Sequence, residues 1–331
     1  MTSRPLVLVS LLSLVACGDD SSLADGSVMD VATSDTAQPD TSVPDVSDED
    51  VPADVEADAA DGGMERPTTV GGDRPANIVV PTDYSDDTPA PVVVLLHGYG
   101  ASGSAQDLYF QLSSAASERG MLTLLPDGTL DAASRRYWNG AGGCCAFAAV
   151  GSPPDDVAYI QGLVDELAMH YAVDRSRVYL VGHSNGGFMS YRMACEAPEA
   201  FTALAALAGT TDSDEDLCDP SEPVSVLHIH GTMDETIDYE GSSMAPLDYA
   251  GALETITRHA AYAGCEGDSD GDARDITTAE GSETLVSIQD GCDEGFGAEL
   301  WTIVDGEHIP PVNGEFADQV LDWLLQWQKS E

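Results

Sequence analysis

Apolar residues along this chain fall into two rhythms. Short runs rich in Val, Ile and Leu occur at 77–81, 91–96, 121–125, 177–181, 225–230, 284–289 and 299–304. Their length and near-continuous apolar character suit strands buried in a sheet. Between them, 105–119, 154–171, 186–196, 247–263 and 316–328 are longer and carry the helical period. The segment at 154–171 opens on Pro154, Asp155 and Asp156, which suit a first helical turn. Strands alternating with helices predict an α/β domain, a mostly parallel central sheet with helices on both faces. The acidic stretch at 266–275 is expected as a surface loop. Its Asp268-Ser269-Asp270-Gly271-Asp272 run lacks the glycine and glutamate placement of a calcium-binding EF-hand.

The N-terminus has a different pattern. Arg4 is followed by an apolar stretch at 6–15, too short to span a bilayer and expected as a signal peptide over residues 1–17. It ends in Leu14-Val15-Ala16-Cys17, which resembles the lipobox of bacterial lipoproteins. That resemblance implies cleavage before Cys17 and lipidation of its thiol, hence an exported protein anchored to a membrane of the cell envelope. Residues 18–65 contain no aromatic, Lys or Arg side chain, and too little apolar surface to offset the entropy of ordering. They are expected to form an acidic, extended tether, leaving 66–331 as one domain at the upper range of size for a single large core.

Charge and cysteine content narrow the class of partner. The formal net charge is −47, and the tether supplies about a third of it, so the domain is acidic as well. A nucleic-acid partner is excluded by the lack of a basic surface. Cys144, Cys145, Cys195, Cys218, Cys265 and Cys292 make an even set in an exported chain, which points to disulfides rather than to a metal site. Cys265 is expected to pair with Cys292. The neighbours Cys144 and Cys145 are expected to pair with Cys195 and Cys218, in either order, because a bridge between adjacent residues strains the peptide.

The strongest chemical signal is Gly182-His183-Ser184-Asn185-Gly186-Gly187, between a predicted strand and a predicted helix. A serine on such a cramped turn needs neighbours almost free of side chain two positions away on each side, and both are glycine. The turn exposes the hydroxyl and leaves the Asn185 amide at a helix N-terminus, where it can stabilise an oxyanion. A second oxyanion donor is expected from the Tyr99 amide, in the turn Leu96-His97-Gly98-Tyr99-Gly100 after an apolar strand. The acid is expected at Asp234 in the loop after the strand 225–230, with Asp238 as the alternative. The base is expected at His308, which alone among the histidines follows the acid in a loop after a strand.

These pieces together resemble the polyhydroxybutyrate-depolymerase-like and feruloyl-esterase-like α/β hydrolases, including carbohydrate esterase family 1. Asp127-Gly128, Tyr137-Trp138-Asn139, Cys144-Cys145, Asp155-Asp156-Val157, His230-Gly231-Thr232 with Asp234, and Gly306 with His308 occur in family order. The resemblance implies an α/β-hydrolase fold, a triad of Ser184, Asp234 and His308, no cofactor, and a secreted serine esterase acting on small or polymeric esters. The family usually continues from its histidine into Trp-Pro, whereas here Ile309-Pro310 follows, so a pocket wall differs. Tyr99, Tyr137, Trp138 and Tyr239 are expected at the pocket rim, favouring short-chain, hydroxyacyl or feruloyl-type esters. A triad alone leaves open a peptidase or an acyltransferase on the same fold. The third alternative is a cell-surface lipoprotein that binds without catalysis.

Overall fold

The chain enters the sheet through two short antiparallel strands, β1 (Thr69–Val70) and β2 (Ala76–Val79), and continues into β3 (Ala90–Leu96), buried along its whole length. Two short helices, α1 (Gly103–Phe110) and α2 (Leu112–Glu118), lead to β4 (Leu122–Leu125). A small hairpin of β5 (Thr129–Leu130) and β6 (Arg136–Tyr137) precedes α3 (Asp156–His170) and β7 (Val173–His183). Then follow α4 (Asn185–Glu196), β8 (Ala203–Leu207) and β9 (Ser225–Gly231). A second hairpin, β10 (Gly241–Met244) with β11 (Leu247–Ala250), leads into α5 (Ala252–Tyr262). The last elements are β12 (Gly267–Asp270), β13 (Thr284–Asp290), β14 (Ala298–Ile303) and α6 (Phe316–Leu324). This computed structural model describes residues 66–330 apart from 141–143, 146–148, 150, 245–246 and 282. The expected signal peptide, Cys17 and the tether at 18–65 lie outside the described residues.

Ten strands form one sheet in the order β1-β2-β4-β3-β7-β8-β9-β14-β13-β12. The six from β4 to β14 run parallel, and the edges are antiparallel. The alternation along β3 explains why helices cover both faces. Val92, Val94 and Leu96 pack with Ile160, Leu163 and Leu167 of α3 and with Ile256 of α5, while Val93 and Leu95 pack on the opposite side with Leu112 of α2 and Val320 and Leu321 of α6. A fully apolar strand is what a two-sided core requires. Among the described residues no helix is long and apolar enough to cross a membrane.

Several expectations are corrected by the backbone. The predicted helix at 105–119 is two helices, because Gln111 takes a left-handed conformation (φ 56°) at the junction. The Asp107 carboxylate accepts from both the amide and the hydroxyl of Ser113, satisfying the second helix's start. The predicted helix at 247–263 begins as strand β11 and becomes helical only after Gly251. Residues 267–270 are an edge strand rather than a loop, with every side chain exposed. Its carboxylates point into solvent, a charge arrangement that discourages edge-to-edge association.

The disulfides are Cys144–Cys145, Cys195–Cys218 and Cys265–Cys292. The third is as expected, and the first two correct the expected pairing of Cys144 and Cys145 with Cys195 and Cys218. Cys144 lies beside the first turn of α4, against Asn185, whereas Cys195 is near the helix's last residue. Ten residues of helix put these ends about 15 Å apart, beyond the reach of a disulfide. The adjacent cysteines are accommodated by a positive φ of 74° at Cys145.

Candidate active site

The parallel strands deliver their C-terminal ends to one edge of the sheet, and the candidate residues sit there. Strand β7 ends at His183, and Ser184 follows with φ 53° and ψ −120°, a conformation that L side chains rarely adopt. Crowding dictates the neighbours. A Cβ on Gly182 would lie 2.3 Å from the Gly186 carbonyl oxygen, and one on Gly186 would lie 2.1 Å from that of Leu96. Both glycines are therefore steric requirements of this turn. The turn is held by the Ser184 amide on the Leu207 carbonyl (2.8 Å) and by the Gly187 and Phe188 amides on the Ser184 carbonyl.

Strands β9 and β14 bring in the other two groups. A Cβ at Gly231 would lie 2.2 Å from the Gly306 carbonyl oxygen, so the loops after these strands touch at two glycines. Across that contact His308 Nδ1 lies 2.8 Å from Asp234 Oδ2, and His308 Nε2 lies 2.9 Å from Ser184 Oγ. A carboxylate only accepts, so Nδ1 carries the proton and Nε2 is free to accept from the serine. Asp234 is buried, and its other oxygen accepts from the amides of Thr236 and Ile237, both at 2.8 Å. Burial alone would raise its pKa. Hydrogen bonds from His230, His308 and the Ile237 amide, with the charge of His308, overcome that and hold it well below the usual carboxylate range. The alternative acid, Asp238, accepts from the Glu240 amide in its own turn, and its side chain is exposed.

The loop at 97–99 lies against the serine. A Cβ at Gly98 would be 3.4 Å from Ser184 Cβ and 3.2 Å from His183 Nδ1. His97 fixes this loop: its Nδ1 lies 2.8 Å from the Gly98 carbonyl oxygen, and its Nε2 accepts from the Gly128 amide at 2.9 Å. Among the described residues no backbone carbonyl takes the amides of Tyr99 or Asn185. The Asn185 side chain is committed elsewhere, accepting from the Trp138 amide (2.7 Å) and donating to the Trp138 carbonyl (2.9 Å), which anchors the helix start.

The structure places the predicted aromatic rim differently. Trp138 is fully buried, donating its indole N–H to the His97 carbonyl at 3.0 Å, so it supports the 97–99 loop from behind. Tyr137 is buried in a small cluster with Phe188, Ile237, Tyr249 and the Cys144–Cys145 pair, against which Tyr99 packs in part. Tyr239 faces a different cavity beside α5, with its hydroxyl 2.8 Å from Thr302 Oγ1. The cavity that contains His308, about 590 Å³, is instead lined by Met233, Glu235, Thr236, Asp305, Glu307 and Ile309. Ile309, at the position where Trp was expected by resemblance, is 62% exposed at this rim.

Three histidines matter more than their sequence positions suggested. His183, buried, places Nε2 3.1 Å from the His308 carbonyl oxygen and steadies the backbone that carries His308. Burial pushes its pKa down to about 4, so it is neutral at physiological pH. His228 and His230, two apart on β9, lie behind Asp234 and contact each other. Their i, i+2 spacing just before Gly231 was the available signal. Asp156 and Asp155 are structural: Asp156 is buried and accepts from Arg74 (2.7 Å) and the Asn139 amide (2.8 Å), while Asp155 caps α3. Among the described residues one group, Cys195, Cys218 and His259, has metal-ligand spacing, but its two sulfurs are bonded to each other.

Comparison with known proteins adds to this geometry. The family described as putative esterase matches residues 68–270, a span that includes Ser184 and Asp234 and ends before His308. The chain is 31% identical to the putative esterase NocK of Nocardia uniformis subsp. tsuyamanensis over 158 residues, 48% of this chain and 44% of that protein. It is 26% identical to feruloyl esterase B of Piromyces equi over 243 residues, 71% of this chain and 42% of that protein. The aligned part thus spans less than half the length of these two relatives. The solved acetyl xylan esterase from Aspergillus awamori superposes with a TM-score of 0.56 at 14% identity, covering 77% of this chain and 97% of that one. At that identity the likeness is one of fold, and the fold is that of the α/β hydrolases.

Proposed function

The chain belongs to the putative esterase family, and from that premise we propose that it hydrolyses carboxylic esters through an acyl-enzyme on Ser184. The observation that carries this reading is the unbroken hydrogen-bonded series from Ser184 Oγ through His308 to Asp234, on a serine held in a strained turn. His308 Nε2 takes the hydroxyl proton as Oγ attacks the ester carbonyl, and Asp234 stabilises the imidazolium that forms. The amides of Tyr99 and Asn185 would receive the negative charge of the tetrahedral oxygen, each contributing about 3 kcal/mol in the transition state. His308 then gives its proton to the departing alcohol, and water, deprotonated by the same imidazole, releases the acid and restores Ser184.

The substrate reading rests on the cavity. A space of about 590 Å³ fits a small or medium acyl group, and the exposed Met233 and Ile309 offer apolar contact on one side. Glu235, Asp305 and Glu307 on the rim repel anionic esters, so the substrate is neutral near its scissile bond. Short acyl, hydroxyacyl and feruloyl-type esters meet these conditions. Export and anchoring through Cys17 belong to the same proposal, supported by three disulfides that suit an oxidising compartment. The test is a panel of acetyl, butyryl, hydroxycinnamoyl and long-chain esters. Rates falling steeply beyond about eight acyl carbons are expected as the tail outgrows the cavity. Preference for long-chain esters over acetyl and hydroxycinnamoyl ones would instead identify a lipase.

A further inference from the structure

The carboxylate of Asp234 is the end of a longer buried series. The same Oδ2 that contacts His308 lies 3.3 Å from His230 Nε2, which is also 2.8 Å from the Ile237 carbonyl oxygen. His230 Nδ1 lies 3.2 Å from His228 Nε2, and His228 Nδ1 lies 2.7 Å from the hydroxyl of Tyr191 on α4. All four residues are buried. Strand β9 has a period of two, so His228 and His230 face the same side of the sheet, towards α4 and α5. The Ile256 and Ala260 side chains belong to the apolar cluster on that side, where three hydrogen-bonded polar rings need a reason to be present.

The partners fix the protons. His230 Nε2 faces two acceptors, so it must carry hydrogen there. If His230 is neutral, its Nδ1 is an acceptor and needs a donor, which is His228 Nε2–H. His228 Nδ1 then needs a donor in turn, and the Tyr191 hydroxyl supplies one. Burial, with His230 and His259 nearby, holds His228 well below its ordinary pKa, so it has no second proton to offer. The Tyr191 pKa is raised well above its ordinary value by burial, so the phenol keeps its hydrogen. Every donor in the series then points towards Asp234. We propose that Tyr191, acting through His228, fixes His230 as the Nε2–H tautomer, and that these three are positioning residues for the carboxylate that orients His308.

This reading builds on the esterase proposal, since the triad gives the series its purpose. With His230 donating, Asp234 receives three short hydrogen bonds, from His308 on Oδ2 and from the Thr236 and Ile237 amides on Oδ1, and a longer 3.3 Å contact from the His230 N–H that is shared with the Ile237 carbonyl. It cannot rotate away from the imidazole without breaking a buried hydrogen bond. In the opposite tautomer a lone pair of His230 would face both Oδ2 and the Ile237 carbonyl oxygen, pushing the carboxylate and its loop outwards. A doubly protonated His230 would spread the negative charge of Asp234 over two imidazoles and weaken its hold on His308. The neutral, one-directional arrangement avoids both.

The test uses the full chain carrying ¹⁵N-labelled histidine. Ring nitrogen shifts are expected to show hydrogen on Nε2 and a lone pair on Nδ1 at both His228 and His230. Tyr191→Phe is expected to mix the tautomers at both histidines, and to slow ester turnover about tenfold through kcat with KM unchanged, the effect of one lost hydrogen bond. An Nδ1–H or doubly protonated His230 in the unsubstituted protein overturns the proposal, as does a Tyr191→Phe variant with unaltered tautomers and kcat. If that variant does not fold, the spectrum of the unsubstituted protein still decides. The spectra need no substrate. The expected tautomers in a protein without ester turnover would therefore count against the esterase reading alone, and wrong tautomers beside Ser184-dependent turnover would count against the relay alone.

Discussion

Replacing Asp234 by Asn separates the electrostatic role of this side chain from its shape. The carboxylate receives two amides on Oδ1 and two imidazole N–H groups on Oδ2. An asparagine can keep its carbonyl oxygen on the amides of Thr236 and Ile237, but its NH₂ then meets His308 Nδ1–H and His230 Nε2–H, donor against donor. His308 relieves the clash by moving its proton to Nε2, the atom that faces Ser184 Oγ at 2.9 Å. The base is then protonated where it should accept, and kcat on a small activated ester should fall about 10⁴-fold with little change in KM. Asp238→Asn, altered at an exposed side chain, should change kcat less than about threefold. Stopped-flow and steady-state rates with an aryl acetate give both numbers, and melting temperatures confirm that each variant is folded. Asp234→Asn retaining more than about 1% of kcat, or ranking above Asp238→Asn, would refute the assignment of the acid.

Other expected outcomes follow from the same contacts. His183 is neutral in the folded protein, with a pKa near 4, and buried His259 is lowered to about 3. Each binds a proton near pH 6.5 once unfolded, so their stabilising contribution is complete above pH 6.5 and is lost as pH falls. Stability should therefore drop by up to about 1.4 kcal/mol per pH unit for each such histidine between about pH 6.5 and 4, read from urea unfolding at pH 7, 6 and 5. A flat profile over that range would contradict their burial as neutral rings. Asp234, with its pKa lowered, stabilises the fold above its unfolded value near 3.9 and loses that contribution only at lower pH. Cys195 and Cys218 are 23 residues apart, so replacing both by serine should cost about 3 kcal/mol while leaving ester turnover measurable. Unchanged stability in that variant would show that the bridge does not constrain the unfolded chain.

The residues easiest to read from the sequence were those whose identity is forced by local sterics. Ser184 stands out because Gly182 and Gly186 have no room for a side chain, a constraint visible as a motif without coordinates. Asp234 and His308 were proposed from chain order and from their loops after strands, and the contact between Gly231 and Gly306 is what brings those loops together. Side-chain direction was not legible. Trp138 and Tyr239 suited a substrate wall by type, but the backbone turns one beneath the 97–99 loop and the other towards α5. The Cys144–Cys145 bond was missed because the strain of a bridge between neighbours was weighed without the length of α4, which keeps Cys195 out of reach of Cys144. His228 and His230 gave no sequence signal beyond their place in a strand, because the partner that orders them, Tyr191, comes from a helix 37 residues earlier than His228. Strand β8 escaped notice because its Ala-Leu sequence has no distinct period and little β-branched character.

Labelling of the folded full chain with a fluorophosphonate, followed by peptide mapping, tests the central claim most directly. The probe reacts with a serine whose hydroxyl is activated by a base, which is what the 2.9 Å contact between Ser184 Oγ and His308 Nε2 implies. The expected result is one adduct, on Ser184, with ester turnover lost in proportion to labelling and both strongly reduced in His308→Ala. A folded protein that takes no label at Ser184, or that keeps its ester turnover once Ser184 is fully modified, would contradict the account.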